Sequence, residues 1–257
     1  MKTKDIVKII EEFCPERLAY SWDNVGLLCG DEEKEVNKIF VTLDTNINTV
    51  KEAIQKGADM IVSHHPILLG GIKRIDYKTS VGQMIKLLIE NNIPLLAAHT
   101  NMDTAKGGIN DVLAEKFGLI DVKILNQHTD DETAGLGRYG NLSKPITFKE
   151  FSAKCSEILN TTVRVAGDFN KMINTVAVAS GSCSEIIPLA LKKGADVIIT
   201  GDMKYHNMID MAETGICIID AGHYPTEICV MNIFEKILKN TETTIIKSEN
   251  QDIFKFI

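Results

Sequence analysis

The sequence predicts an α/β fold made of two similar subdomains that arose by internal duplication and face each other. Three observations predict it. "QKGADMIVSHHPILL" (55–69) is echoed by "KKGADVIITGDMKYH" (192–206), with Lys56 matching Lys193, an offset of 137 residues. At the same offset "IFVTLD" (39–44) falls on "VAVASG" (176–181), and both read as buried strands. A later apolar run follows in each copy, "IPLLAAHTNMD" (93–103) and "ICIIDAGHYPTE" (216–227), after a shift of about 13 residues. Each copy thus reads β-α-β followed by a further strand, the pattern of a layered α/β unit.

The elements follow in order. Ile6, Ile9, Ile10 and Phe13 lie on one face of an N-terminal helix, and the charges among them exclude a signal-peptide core. Val50, Ala53 and Ile54 mark a helix over 47–56; Ile187, Ala190 and Leu191 mark its counterpart over 184–193. Each helix ends in Gly-Ala-Asp, glycine at the position after the helix and Asp59 or Asp196 as a turn residue before the strand. The region 120–173 departs from the repeat. "GLGRYGNL" (135–142) and "TTVRVAGDF" (161–169) read as strands. Between them Thr147 and Glu150 form a capping box for a helix over 147–159. A helix over 225–238 opens with Pro225 in its first turn, and "TTIIKSE" and "IFKFI" close the chain as strands. The approximate halves are 1–125 and 126–257 of one unit without an inserted domain.

Of the 257 residues 44% are hydrophobic and 25% charged, which is ordinary for a globular protein. The net charge of −7 gives no indication of a general nucleic-acid-binding surface, and no apolar run is long enough to span a membrane. Six cysteines without a Cys-x-x-Cys pair read as reduced thiols of a cytoplasmic protein.

The chemistry collects at strand ends. Ser63-His64-His65, His99 to Asp103, Gly201-Asp202 with His206, and His223 with Glu227 all follow apolar strands, where ligands bind in α/β folds. Imidazole and carboxylate together favour Zn, Mn, Fe, Co or Ni over Ca or Mg. Adjacent residues on extended backbone diverge, so His64 and His65 are expected to serve different ions of a pair. Asp103 can bridge two ions, and His223 and Glu227 can each ligate one. His128, in the polar loop "NQHTDDET", reads as a surface residue, and Gly135-x-Gly137 as part of a hairpin strand.

Taken together, "SWDNVGLLCG" (21–30), "GADMIVSHHP" (57–66), "AAHTNMD" (97–103), "GLGRYG" (135–140), "ADVIITGDMKYH" (195–206) and "AGHYPTE" (221–227) resemble the Nif-three-like dinuclear metal-centre family, whose bacterial members are also known as GTP cyclohydrolase I type 2 homologues. The resemblance implies two divalent metal ions per subunit, held by His64, His65, Asp103, His223 and Glu227, with Asp103 as the bridge. It further implies a toroidal homohexamer, and it leaves His99 and His206 as residues beside the ligands, able to move protons.

The leading expectation is a metal-dependent hydrolase of a nucleotide-like substrate. If that is GTP, activated water adds at C8 and opens the purine ring. Arg138, Lys204 and Lys73 are the candidates for meeting phosphate. Two alternatives stand beside it: a two-metal phosphoesterase, and a non-enzymatic metal-binding regulatory hexamer.

Overall fold

Apolar strand runs alternate with amphipathic helices along the chain. The computed structural model describes residues 1–249 and 251–255. It divides the chain into two units, Met1–Ala105 with Val230–Gln251, and Lys106–Cys229 with Asp252–Ile257. The boundary therefore falls ahead of residue 125, and the chain re-enters the first unit after Cys229.

The first unit begins with α1 (Thr3–Phe13), β1 (Gly26–Cys29), β2 (Lys38–Thr42), α2 (Ile47–Gln55), β3 (Met60–Ser63), α3 (Ser80–Glu90), β4 (Leu95–Ala97) and the short α4 (Thr100–Thr104). The second unit contributes α5 (Ile109–Lys116), a hairpin of β5 (Ile120–His128) and β6 (Asp131–Thr147), α6 (Phe148–Leu159), β7 (Arg164–Ala166) and β8 (Met172–Val178). It continues with α7 (Ile187–Lys192), β9 (Val197–Thr200), α8 (Tyr205–Ala212), β10 (Cys217–Asp220) and the short α9 (His223–Glu227). Back in the first unit lie α10 (Val230–Leu238) and β11 (Thr244–Lys247).

The duplication is visible in the sheets. The first has the order β1-β4-β3-β2-β11 and the second β5-β6-β8-β9-β10-β7. In one, β2, β3 and β4 run parallel with antiparallel β1 beside β4; in the other, β8, β9 and β10 run parallel with antiparallel β7 beside β10. The register repeats too. Ile39 pairs with Met60, and Val176 with Val197, each residue displaced by the same 137 positions. Every residue of β3 and of β9 is buried, as expected of parallel strands covered on both faces. Each unit has its own core, around Phe40, Ile61 and Leu95 in the first and Ala177, Ile198 and Ile218 in the second.

The two Gly-Ala-Asp turns work in the same way. Gly57 and Gly194 both have positive φ (+65° and +80°), a conformation that glycine adopts without steric cost. One Asp59 oxygen accepts from the backbone N–H groups of Asn37 and Lys38, at 2.9 Å each. Asp196 repeats this with Asn174 and Thr175, also at 2.9 Å. The carboxylate thereby ties one parallel strand, just ahead of the paired stretch, to the start of its neighbour.

The capping box of Thr147 and Glu150 is present at the start of α6. Several expectations change. The helix expected over 225–238 is two helices, α9 and α10, and α9 begins at His223 rather than near Pro225. The strand expected over 161–169 shrinks to β7. In "IFKFI", residues 253–255 carry no strand, and residues 256–257 lie outside the described residues. All six cysteines are free thiols; burial pushes Cys155 up to about 12 and Cys14 higher still, so these two stay protonated and inert. Among the described residues no helix is long and apolar enough to cross a membrane.

If the two turns are copies of one device, Asp59→Ala and Asp196→Ala will each cost roughly 1–3 kcal/mol. Urea denaturation of the two variants will show similar losses; a loss in one and none in the other would contradict the equivalence.

Candidate metal centre

In the first unit, β3 delivers the two adjacent histidines. His64 is fully buried, and its backbone N–H donates to Thr42 O at 3.1 Å, while that of His65 donates to Leu43 O at 2.9 Å. The chain then bends: the Ser63 hydroxyl donates to His65 O at 3.0 Å. This bend overturns the expectation that the two side chains diverge. Their ring centroids are 4.9 Å apart, and His99 lies 5.1 Å from His64 and 5.4 Å from His65. One donor atom from each of the three imidazoles lies within 4.8 Å of the other two. His99 sits immediately before α4, and Asp103, within that helix, places Oδ2 3.8 Å from His64 Nε2.

In the second unit, α9 carries His223 and Glu227 one turn apart, with Nε2 and Oε2 at 3.0 Å. Glu227 is buried. Two glycines make room for this pair. A Cβ on Gly181, which has φ +63°, would lie 2.1 Å from Glu227 Oε1. A Cβ on Gly201 would lie 2.7 Å from His223 N. Thr226 Oγ1 accepts from the Gly181 N–H at 3.0 Å, and buried Asp220 accepts from the N–H groups of Met203 and Gly222, at 3.1 Å each. The loops around His223 are thereby pinned to one another.

All four imidazoles share one feature. Nδ1 of His64 meets Ala98 O at 2.8 Å, Nδ1 of His65 meets Asp44 Oδ1 at 2.7 Å, Nδ1 of His99 meets Asp23 Oδ1 at 2.9 Å, and Nδ1 of His223 meets Asp202 Oδ2 at 2.7 Å. A carbonyl or an ionised carboxylate only accepts, so Nδ1 must carry the proton in each ring. In the neutral imidazole the lone pair is then on Nε2, the arrangement found where histidine binds a metal. Asp23 is the most heavily engaged acceptor. It also accepts from Thr100 N at 3.0 Å and from Thr100 Oγ1 at 2.5 Å. Burial alone would raise its pKa, but the hydrogen bonds from His99 and Thr100 together outweigh that and hold it well below the usual carboxylate range. Its contribution to stability is therefore present above about 3.9 and is lost as the pH falls toward the depressed folded value.

The donor chemistry fits a divalent transition metal: imidazole Nε2 atoms with tautomers fixed from behind, carboxylates alongside, and glycines where a side chain would intrude. His206, by contrast, is exposed on α8 with its ring against Tyr205, and His128 lies at the end of β5 accepting from Asp130 N; among the described residues neither belongs to a group of donors that could hold a metal. Arg138 is not available to a phosphate. It is buried, clamps Asp111 through Nε (2.5 Å) and Nη2 (2.8 Å), and donates from Nη1 to Gly135 O and Gly137 O. Lys73 and Lys204 are exposed.

The family model described as Duf34/NIF3 (NGG1p interacting factor 3) matches residues 1–252. The chain belongs to the DUF34/NIF3 family. A relative from Clostridium perfringens, named GTP cyclohydrolase 1 type 2 homolog, is 39% identical over 262 residues, covering 100% of both chains. Among solved structures of the family, the Bacillus cereus protein related to NIF3 superposes with a TM-score of 0.92 at 26% identity, covering 100% of this chain and 99% of that one. Reduced HcgD from Methanocaldococcus jannaschii superposes at 0.85 with 34% identity, over 97% and 98% of the two chains.

Asp44, Asp202 and Asp23 were not singled out from sequence as partners of the histidines. A signal was there for Asp202, which takes the place of His65 in the repeat. His99 and Asp103 likewise hold the positions in their copy that His223 and Glu227 hold in theirs, four residues apart after the third parallel strand. Replacing Asp44 or Asp202 by Asn should weaken metal affinity by about 10–100-fold, measured by competition with a chromogenic chelator. Unchanged affinity in both would show that these contacts do not tune the ligands.

Proposed function

We propose that this chain is a metal-dependent hydrolase that uses two divalent ions, chosen from Zn, Fe, Mn, Co and Ni, on a nucleotide-like substrate. His64, His65, Asp103, His223 and Glu227 would hold the ions, with Asp103 as the carboxylate common to both. The observation that carries the reading is the shared fixing of Nδ1 in His64, His65, His99 and His223, which leaves the neutral rings their lone pair on Nε2, the nitrogen a metal would use. Such ions supply Lewis acidity and lower the pKa of a coordinated water toward ~7.

The chain's own residues supply the rest. His64 is buried, and its ring is oriented by the contact to Ala98 O. His65 and His223 are partly exposed and backed by Asp44 and Asp202, so their rings keep both orientation and access. His99, with Asp23 behind it, is placed either to ligate or to hold and release a proton at Nε2. His206 takes no part in this reading. The name of the relatives, GTP cyclohydrolase 1 type 2 homolog, supports GTP as the first substrate to try, and the sequence resemblance supports a homohexamer as the assembly.

Protein purified without chelator should contain about two transition-metal ions per chain. Asp103→Ala should lose both, while His64→Ala and His223→Ala should each lose about one; elemental analysis measures this. Incubation with a panel of nucleotides, followed by separate assays for formate and phosphate, should show ring opening with release of formate. Phosphate in its place would identify a phosphoesterase. Two bound ions with neither product from any nucleotide would contradict the hydrolase.

A further inference from the structure

Trp22 is the only tryptophan in the chain, and it lies 58% exposed. It is part of a built surface. The Asp23 N–H donates to Tyr20 O at 2.9 Å, closing a tight turn that stacks Tyr20 and Trp22 with centroids 6.0 Å apart and planes 13° from parallel. Tyr20 is itself 37% exposed. The Trp22 ring stands edge-on to the His99 imidazole, 6.0 Å away at 76°.

The turn is tied down on both sides. Tyr20 N–H donates to Thr100 Oγ1 at 3.0 Å, and the Asp23 carboxylate holds both His99 and Thr100. On the far side Asn24 Nδ2 donates to Leu68 O at 2.7 Å, just beyond the His64-His65-Pro66 bend. One five-residue turn is therefore fastened to both segments that carry the imidazoles of the first unit. A rigid aromatic pair at the surface offers a large π face at little conformational cost. Every nucleobase has a π face to match it, so stacking of this kind selects the ring class rather than one base.

We propose that the Tyr20–Trp22 shelf is the stacking platform for the planar heteroaromatic ring of the substrate, a purine in the first instance. The assignment rests on the nucleotide-hydrolase reading above, and it adds the residues that position the ring beside His99. Trp22 is a substrate-positioning residue in this account, and it has no part in holding metal.

The lone tryptophan makes the test direct. The purified full-length protein is titrated with GTP, ATP and, as a probe without a ring, inorganic tripolyphosphate, while tryptophan emission is followed. Both nucleotides should quench it saturably, and tripolyphosphate should leave it unchanged. By calorimetry Trp22→Ala should bind GTP about tenfold more weakly or worse, and Trp22→Phe should stay within about threefold of wild type, with metal content equal in all three. Nucleotide binding that leaves the emission unchanged, equal affinity in Trp22→Ala, or no nucleotide binding at all would overturn the shelf. Quenching by nucleotides that are never turned over would contradict the hydrolase and keep the shelf. Turnover with an unchanged KM in Trp22→Ala would keep the hydrolase and remove the shelf.

Discussion

A hydrogen bond from Nδ1–H of an imidazole to a fixed acceptor is the interaction on which the rest of this structure depends. It occurs at His64, His65, His99 and His223, and it decides at each ring which nitrogen has a lone pair to offer. The acceptors differ in kind. Ala98 O is backbone at the end of β4, so the sheet itself sets the tautomer of His64. Asp44, Asp23 and Asp202 are side chains, each placed by a turn or strand end close to the ring it serves. Within each unit, parallel strands bring such groups to one sheet edge because every strand in such a sheet points its carboxyl end the same way.

The duplication shows how one scaffold carries two different ends. Register, turn glycines and turn carboxylates coincide between β2-β3 and β8-β9, and they belong to the part of each unit that packs. Beyond the strands the copies diverge according to what must fit. Where the first has His64 and His65, the second has Gly201 and Asp202. Gly201 allows the backbone of Gly222 and His223 to approach, and Asp202 turns the His223 ring. Where the first copy has two histidines, the second has a spacer and an orienting carboxylate, and it keeps a simpler pair, His223 and Glu227, on one turn of helix.

Much of this was legible in the sequence because it rests on periodicity and repetition. The strands of the repeat are apolar runs, the α6 cap is a four-residue motif, and the donor residues are rare types grouped at strand ends. The parts that were not legible depend on backbone direction over two or three residues. The alternation rule for extended chain sent His64 and His65 apart; the bend closed by Ser63 and His65 brings them together. Pro225 signalled a helix start, yet Gly222, with φ +82°, opens the helix earlier and so sets His223 facing Glu227. Arg138 looked like an anion contact because sequence cannot show that Asp111, 27 residues away, already occupies its guanidinium. The roles of Asp23 and Asp44 depend on contacts to His99 and His65, 76 and 21 residues away, which no local pattern records.

The most direct measurement is of the tautomers themselves. The chain has only six histidines, so two-bond proton–nitrogen correlation spectra of the zinc-loaded, histidine-labelled protein can resolve each ring. The account predicts that His64, His65 and His223 carry the proton on Nδ1 and coordinate through Nε2, with His99 also protonated on Nδ1. Coordination through Nδ1, or protonated Nε2 in the zinc-loaded state at His64, His65 or His223, would contradict it.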